Sequence, residues 1–476
     1  MRPIMKPLAL FVVFLACLAT STARSQFPNY PTADRVLGAS DFTTVGPEAA
    51  SASSLETASG VSVDPVSGKV FVSSPSDNRI LRFANSASLA NGASAEAVIG
   101  QPDYTTITPG LSNAKLNSPY GIHVDGSGRL WVADYSNKRV LMYANAASLP
   151  EFGATATLVL GQPDFDTGTP GTTAAKMGGP NGIFVDAQDN LWVADYSNNR
   201  VVKFANASSL SNGASANSVL GQVNFNLNSS GTSATTMEGP AAVLVDGAGR
   251  LWVAEQVNNR VLRFDNAAAL GNGTTANGVL GQPGFVTSDE GSTAVGLDEP
   301  NAFAVDAAGT LYVADYGNNR VLSYKNPAAK ANGAAADGVI GQPDFTTSTF
   351  STTARTLHGP YGGLDFDAAG RLWVTDFINN RVLRFSPDRS VAAPTVGRVP
   401  KVTTKAKLTI NGTAADDSGI AAVRRRVGKG AFLGAIGLEA WTFKARLKPG
   451  KNTIEIVAVD SAGNVSAATR VKVTRR

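Results

Sequence analysis

Only two histidines, His123 and His358, and one cysteine, Cys17, offer nitrogen or sulfur chemistry in 476 residues. A zinc centre built on three histidines is therefore excluded. Oxygen donors are more plentiful. Glu56, Glu238, Asp298 and Asp365 could serve a divalent cation, with Asn181 and Asn301 as neutral donors and His358 as a nitrogen ligand. His123 and Asp365 could share a proton or a metal if both reach one point. No serine nucleophile elbow, phosphate-binding loop, paired cysteines or HExxH is present. A second set of charged residues is regular. Asp134/Arg139, Asp195/Arg200, Asp315/Arg320 and Asp376/Arg381 share one spacing, and Glu255/Arg260 follows it. Such pairs can form charge-assisted hydrogen bonds across a turn. A catalytic centre needs one reacting point, so a pair repeated around the molecule reads as frame.

The frame is a repeat. "LWVADYSNNRVVKF" (191–204) returns at 130, 251, 311 and 372, with a decayed copy, "VFVSSPSDNRILRF", at 70. The Asp of a "VD" pair falls at Asp64, Asp125, Asp186, Asp246, Asp306 and Asp367, a period of 60–61 residues. Short apolar runs separated by Gly- and Asn-bearing turns predict four strands per unit. For one unit these are "GIFVD" (182–186), "LWVAD", "RVVKF" and "NSVLGQ" (217–222). A second element, "VLGQPDF", follows each of the first five units. Its sixth copy, "VLGASDF" (36–42), precedes them all. That offset gains nothing in an open array. In a ring it lets the early strand complete the last unit and removes the exposed edges. The expectation is an all-β, six-bladed β-propeller over 26–385, its N-terminal strand closing the last blade.

The pattern P-x-G-I-x-V-D-x-x-G-x-L-W-V-A-D-x-x-N-x-R-V resembles the NHL repeat, over roughly 55–385. The resemblance implies a six-bladed propeller. It also admits enzymes, since amidating lyases and lactonases use related scaffolds with a metal at the axis, and RNA binders with a basic face. Here residues 26–385 carry 21 Lys and Arg against 31 Asp and Glu, which repels phosphate and argues against nucleic acid.

The informative positions are those where the repeats disagree. Alternate turns of an antiparallel blade share a side, so the loop before "GI" and the hairpin "DYSNNR" lie on one face. Beside the axis on that face the aligned residues are Ser59, Tyr120, Asn181, Ala241, Asn301 and Tyr361. Three residues earlier stand Glu56, Asn117, Gly178, Glu238, Asp298 and His358. Within the first strand stand Ser62, His123, Phe184, Leu244, Ala304 and Asp365. Tyr120, Asn181, Asn301, Tyr361, His123 and Asp365 are the candidate ligand-binding residues. Glu56, Glu238, Asp298 and His358 are the candidate metal ligands. The ring at Phe71, Trp131, Trp192, Trp252, Tyr312 and Trp373 reads as core.

Residues 1–25 read as a signal peptide. Arg2 and Lys6 precede the apolar "PLALFVVFLACLA" (7–19), too short for a bilayer span, and small residues follow. Secretion to the periplasm, medium or cell surface is the expectation. Residues 386–400 read as a linker. Residues 401–476 contain strand-like runs predicting a small β-sandwich. There "LKPGKNTIEIVAVDSAGNVS" resembles bacterial immunoglobulin-like domains. This tail holds 17 Lys and Arg against 6 Asp and Glu, and could touch anionic envelope polymers or lipid head groups. The sequence reading is an exported, non-enzymatic scaffold that binds a protein, peptide or glycan and needs no cofactor. The alternative is a metal-dependent lyase or lactonase-like hydrolase at the axis.

Overall fold

A computed structural model describes residues 27–47, 49–388, 391–416, 420–460 and 464–476. The expected signal peptide lies outside the described residues. Six four-stranded antiparallel sheets follow one another along the chain. Blade 2, for example, runs Pro119–Val124, Leu130–Asp134, Arg139–Tyr143, Leu158–Leu160 from the axis outward. Blade 1 starts at Val61–Val63, blade 3 at Pro180–Val185, blade 4 at Pro240–Val245, blade 5 at Pro300–Val305 and blade 6 at Leu364–Phe366. Each innermost strand contacts the next, and that of blade 6 contacts that of blade 1, so the ring is closed.

The closing strand is Ala33–Leu37. It pairs antiparallel with Arg381–Phe385 as the fourth strand of blade 6, from Ala33 opposite Phe385 to Leu37 opposite Val382. The apolar runs need burial on both faces because each blade is packed between two others. Trp131, Trp192, Trp252 and Trp373 are fully or almost fully buried between blades. Each indole donates to the Asp of its own "VD" pair, at 2.8 Å for Trp131–Asp125 and 3.0 Å for Trp192–Asp186. The same carboxylate of Asp125 caps the following turn through Ser127 N and Arg129 N.

The long link between third and fourth strands has a purpose that spacing did not reveal. In blade 3, Asn212 accepts a hydrogen bond from Val159 N, and Gly213 N donates to Val159 O. Val159 sits on the outermost strand of blade 2. Asn272 and Asn332 repeat this on Val219 and Val279. Each linker thus covers the open edge of the preceding blade.

The chain divides into two compact units, Phe27–Asp388 with Asp416–Ile420, and Arg389–Ala415 with Ala421–Arg476. The second contains a three-stranded sheet, Thr395–Val396, Lys407–Thr413 and Ala440–Arg446. Its five-stranded sheet runs Val402–Thr403, Thr469–Arg475, Gly450–Asp460, Ile420–Val427, Leu433–Gly434. Thr395–Val396 falls inside the stretch expected as linker, because it pairs with Lys407–Thr413. Trp441, Phe443 and Ala445 are buried while Ala440, Lys444 and Arg446 are exposed, the period-two pattern of a one-sided sheet. Among the described residues no helix is long and apolar enough to cross a membrane.

Candidate functional site

The repeated Asp–Arg pairs are fully buried ion pairs. Arg139 Nε donates to Asp134 at 2.8 Å, Arg200 to Asp195 at 2.9 Å, and Arg320 and Arg381 to Asp315 and Asp376 at 2.6 Å. Glu255 holds Arg260 in the same way. Each carboxylate has further partners. Asp134 also accepts from Asn137 Nδ2 and from the backbone N–H of Asn117, which precedes the innermost strand. Each guanidinium reaches further still. Arg200 donates to the carbonyls of Thr172, Phe225, Thr173 and Lys176 as well as to Asp195. One side chain therefore ties the hairpin, the "GQVNF" loop and the loop entering the blade. Blade 1 carries the compensated version. Ser74 stands where the others have the acid, and Asp77 supplies the carboxylate from the Asn position, 2.9 Å from Arg79. Ser74 Oγ donates to the same Asp77 oxygen.

The next residue in the hairpin forms a second repeated contact. Asn199 has a left-handed backbone, and its Oδ1 accepts from Gly239 N in the next blade. Asn259, Asn319, Asn380 and Asn78 do the same to Glu299, Gly359, Thr57 and Ser118. The bond from Asn380 to Thr57 crosses the closure of the ring. These latches fix the loops on which the mouth residues stand. Asn suits left-handed turns, and Lys138 alone breaks the series.

On that platform the rings gather. Tyr361 lies 5.9 Å from Tyr120, 5.5 Å from Tyr316 and 5.2 Å from Phe377, centroid to centroid, and Tyr120 lies 5.2 Å from Tyr135. Asn181 Nδ2 donates to Tyr361 Oη at 3.1 Å. Blades 6 and 3 are opposite, so this bond crosses the axis. Burial pushes the Tyr361 hydroxyl up, so it stays protonated. Asn301 is committed to structure, accepting from Gly362 N and donating to Glu299 O. Tyr120, Asn181, Asn301 and Tyr361 are thus together, as the alignment expected. Tyr135, Tyr196, Tyr316 and Phe377 were missed. They sit one place after the repeated acid and were absorbed into the structural hairpin. Their signal was their variation: Pro75, Tyr135, Tyr196, Gln256, Tyr316, Phe377.

Beneath the rings is an axial cavity of about 340 Å³. Ser62, His123, Phe184, Leu244, Ala304 and Asp365 line it, one from each blade, and Asp246 and Asp306 line its far end. Ser62, His123 and Asp365 have the residue types of a hydrolytic triad but not its geometry. Ser62 Oγ donates to Asp365 at 3.2 Å and accepts from Val124 N at 3.0 Å. Asp365 also accepts from Val63 N and Phe366 N. Serine and aspartate stitch blades 6, 1 and 2 together. His123 instead packs against Phe184, the rings tilted by 35° with centroids 4.6 Å apart, and burial lowers it to about 4, so it is neutral at pH 7. The possible sharing of a proton or metal between His123 and Asp365 is not realised, because their partners lie on opposite sides: Phe184 in blade 3 and Val63 in blade 1.

The four candidate metal ligands do not converge. His358 stacks on Phe350, centroids 4.0 Å apart, and burial lowers its basicity. The backbone N–H groups of Glu238, Asp298 and His358 bond the buried acids Glu255, Asp315 and Asp376. This directs the three loops onto separate hairpins. Among the described residues, no three ligand atoms from Glu56, Glu238, Asp298 and His358 approach one another closely enough to share an ion.

Asp365 has a measurable consequence. Burial raises its carboxyl from 3.8 to about 6. Between those values the unfolded chain has released its proton and the native chain still holds it. Stability is therefore lost as pH rises through this window, by about 3 kcal/mol. Asp365→Asn is expected to flatten that part of the curve, read from urea melts at pH 4.5 and 7.5. An unchanged pH slope would contradict the buried position.

The family profile described as the teneurin NHL domain matches residues 52–324, more than half of the sequence. The chain belongs to the teneurin NHL domain family. Solved structures similar to this NHL propeller include a streptogramin B lyase, 14% identical, TM-score 0.40, covering 72% of this chain and 97% of that one. A virginiamycin B lyase from Staphylococcus aureus is 14% identical, TM-score 0.39, covering 75% and 92%. A gluconolactonase from Xanthomonas campestris is 13% identical, TM-score 0.41, covering 70% and 87%. These likenesses carry nothing about the chemistry of this NHL propeller. Comparison with curated proteins finds no match.

Proposed function

We propose that this NHL propeller is an exported, non-enzymatic binding scaffold. Its mouth presents a protein, peptide or glycan ligand with aromatic rings held on rigid loops, and the C-terminal unit is an immunoglobulin-like spacer. The observation that carries this reading is the cluster around Tyr361. Rings from blades 2, 5 and 6 meet there, half-buried, on loops fixed by buried ion pairs and Asn latches. Rigid amphipathic rings give large contact area at low entropic cost. The axial polar residues support structure in preference to catalysis, since Ser62 and Asp365 use their hydrogen-bonding groups between blades. Screening the full chain on peptide and glycan arrays is expected to find a ligand whose affinity falls at least tenfold in Tyr120→Ala and Tyr361→Ala. Melting temperatures of both variants are measured alongside. Equal binding by two folded variants would move the site off this face.

A further inference from the structure

The hairpin ring of aromatics around the mouth is interrupted at Pro75 and at Gln256, and at the second interruption a carboxylate stands beside the hairpin. In blades 3, 4 and 6 the residue before the innermost strand's proline is Gly179, Gly239 or Gly359. Each packs under the ring of the preceding hairpin: Tyr135, Tyr196 and Tyr316 carbons lie within 3.4 Å of where a Cβ would stand. In blade 5 both partners change. The hairpin residue is Gln256 and the loop residue is Glu299. Gln256 Nε2 donates to Glu299 Oε2 at 3.0 Å. Glu299 keeps the left-handed backbone of its glycine counterparts, with φ 52° beside 56° and 63° at Gly239 and Gly359. That region disfavours a side chain such as glutamate.

The acid is not alone. Burial raises the Tyr196 hydroxyl, followed by Tyr135, Glu299 and Glu238, and burial and then Glu299 raise that of Tyr316. The Asp298 carboxyl is raised by burial and then by Glu290 and Glu299, a crowd of like charge. Arg320, the cation that opposes this, is already committed to Asp315. None of the aligned mouth positions, before the innermost strand or after the hairpin acid, carries lysine or arginine. One outer ring shows what these faces accept: Lys138 Nζ stands 4.8 Å from the Tyr135 centroid. At the centre, Ser59 Oγ is buried without a hydrogen-bond partner.

We propose that the mouth binds the guanidinium or ammonium group of a basic peptide, between the tyrosine rings and the Glu238–Glu299 side of the rim. This rests on the reading that the mouth is a ligand site. Aromatic faces attract cations through their quadrupole, more strongly when water is displaced. Two carboxylates complete the charge match, and the acidic propeller steers basic partners toward it. Arginine suits the site best, because its planar head both stacks on a ring and donates twice to a carboxylate.

The test uses the full chain and a fluorescein-labelled acetyl-Gly-Arg-Gly-Arg-Gly-amide, with the glutamate counterpart as control, read by fluorescence anisotropy. The arginine peptide is expected to bind at least tenfold tighter than the glutamate peptide, with an advantage that shrinks as NaCl is raised from 20 to 300 mM. Glu299→Gly and Glu238→Gln together are expected to weaken it at least tenfold. Glu299→Gly alone should melt at or above the wild-type temperature, because glycine relieves the left-handed position. The double variant is melted alongside, and a wild-type midpoint there means that loss of binding is not loss of fold. Equal binding of the two peptides, no binding, or affinity untouched in the Glu variants would overturn the proposal. An array ligand that is neutral or acidic, yet lost in Tyr361→Ala, would keep the mouth as the site and overturn only its cationic preference.

Discussion

Replacing Arg200 by methionine is expected to cost about 3–5 kcal/mol, because it strands a buried carboxylate. Asp195 would keep Asn198 and backbone donors but lose its counter-charge. Four carbonyls, of Thr172, Thr173, Lys176 and Phe225, would lose their donor in the same step. Arg200→Lys keeps the charge but not the planar fork, and is expected to recover only part of the loss. Urea unfolding of the full chain reads both. Midpoints equal to wild type would mean that the pair contributes nothing net. The effect should extend to the mouth, since the Asp195 network holds the backbone of Gly178 and Gly179 just before Asn181.

A chain lacking residues 1–40 is expected to lose the closed ring. It would leave Arg381–Phe385 as a bare edge and remove Val36 and Leu37, both fully buried. Burying each such side chain is worth about 1.5–3 kcal/mol, before the lost ladder bonds are counted. The Arg384–Asp34 ion pair, 2.7 Å, goes with them. A long exposed edge recruits other chains, so aggregation is expected on size-exclusion chromatography, with a melting temperature lower by ten degrees or more. A monomer with wild-type melting would show that the ring closes without this strand.

Both effects trace to features visible in the repeat itself. The 60-residue period and the displaced "VLGASDF" copy point to ring closure, because a strand missing from the last unit must come from somewhere. The Asp–Arg spacing points to a pinned hairpin. Other features were invisible for physical reasons. The reach of Arg200 into two further loops depends on blade curvature, which no spacing encodes. The second Asn of "NNR" carries no signal of its own in the repeat, yet its side chain latches the next blade. Asn212 lies in the long link between strands, and only its bond to Val159 shows that it covers an edge.

The candidate site divides along the same line. Alignment placed Tyr120, Asn181, Asn301 and Tyr361 around one mouth, since register in a repeat fixes which residues share a height and a face. It could not show that Tyr361 crosses the axis to Asn181, or that His123 turns to Phe184 while Asp365 turns to Val63. Nor could it rescue Tyr135, Tyr196, Tyr316 and Phe377 from a segment that otherwise builds the frame. By itself the sequence determined the all-β class, the six-fold repeat and the closing strand, because hydrophobic period and copy number are properties of the chain. Only the tertiary structure decided which side chains meet, because side chains some 180 residues apart in sequence become partners only when the ring brings opposite blades to one axis.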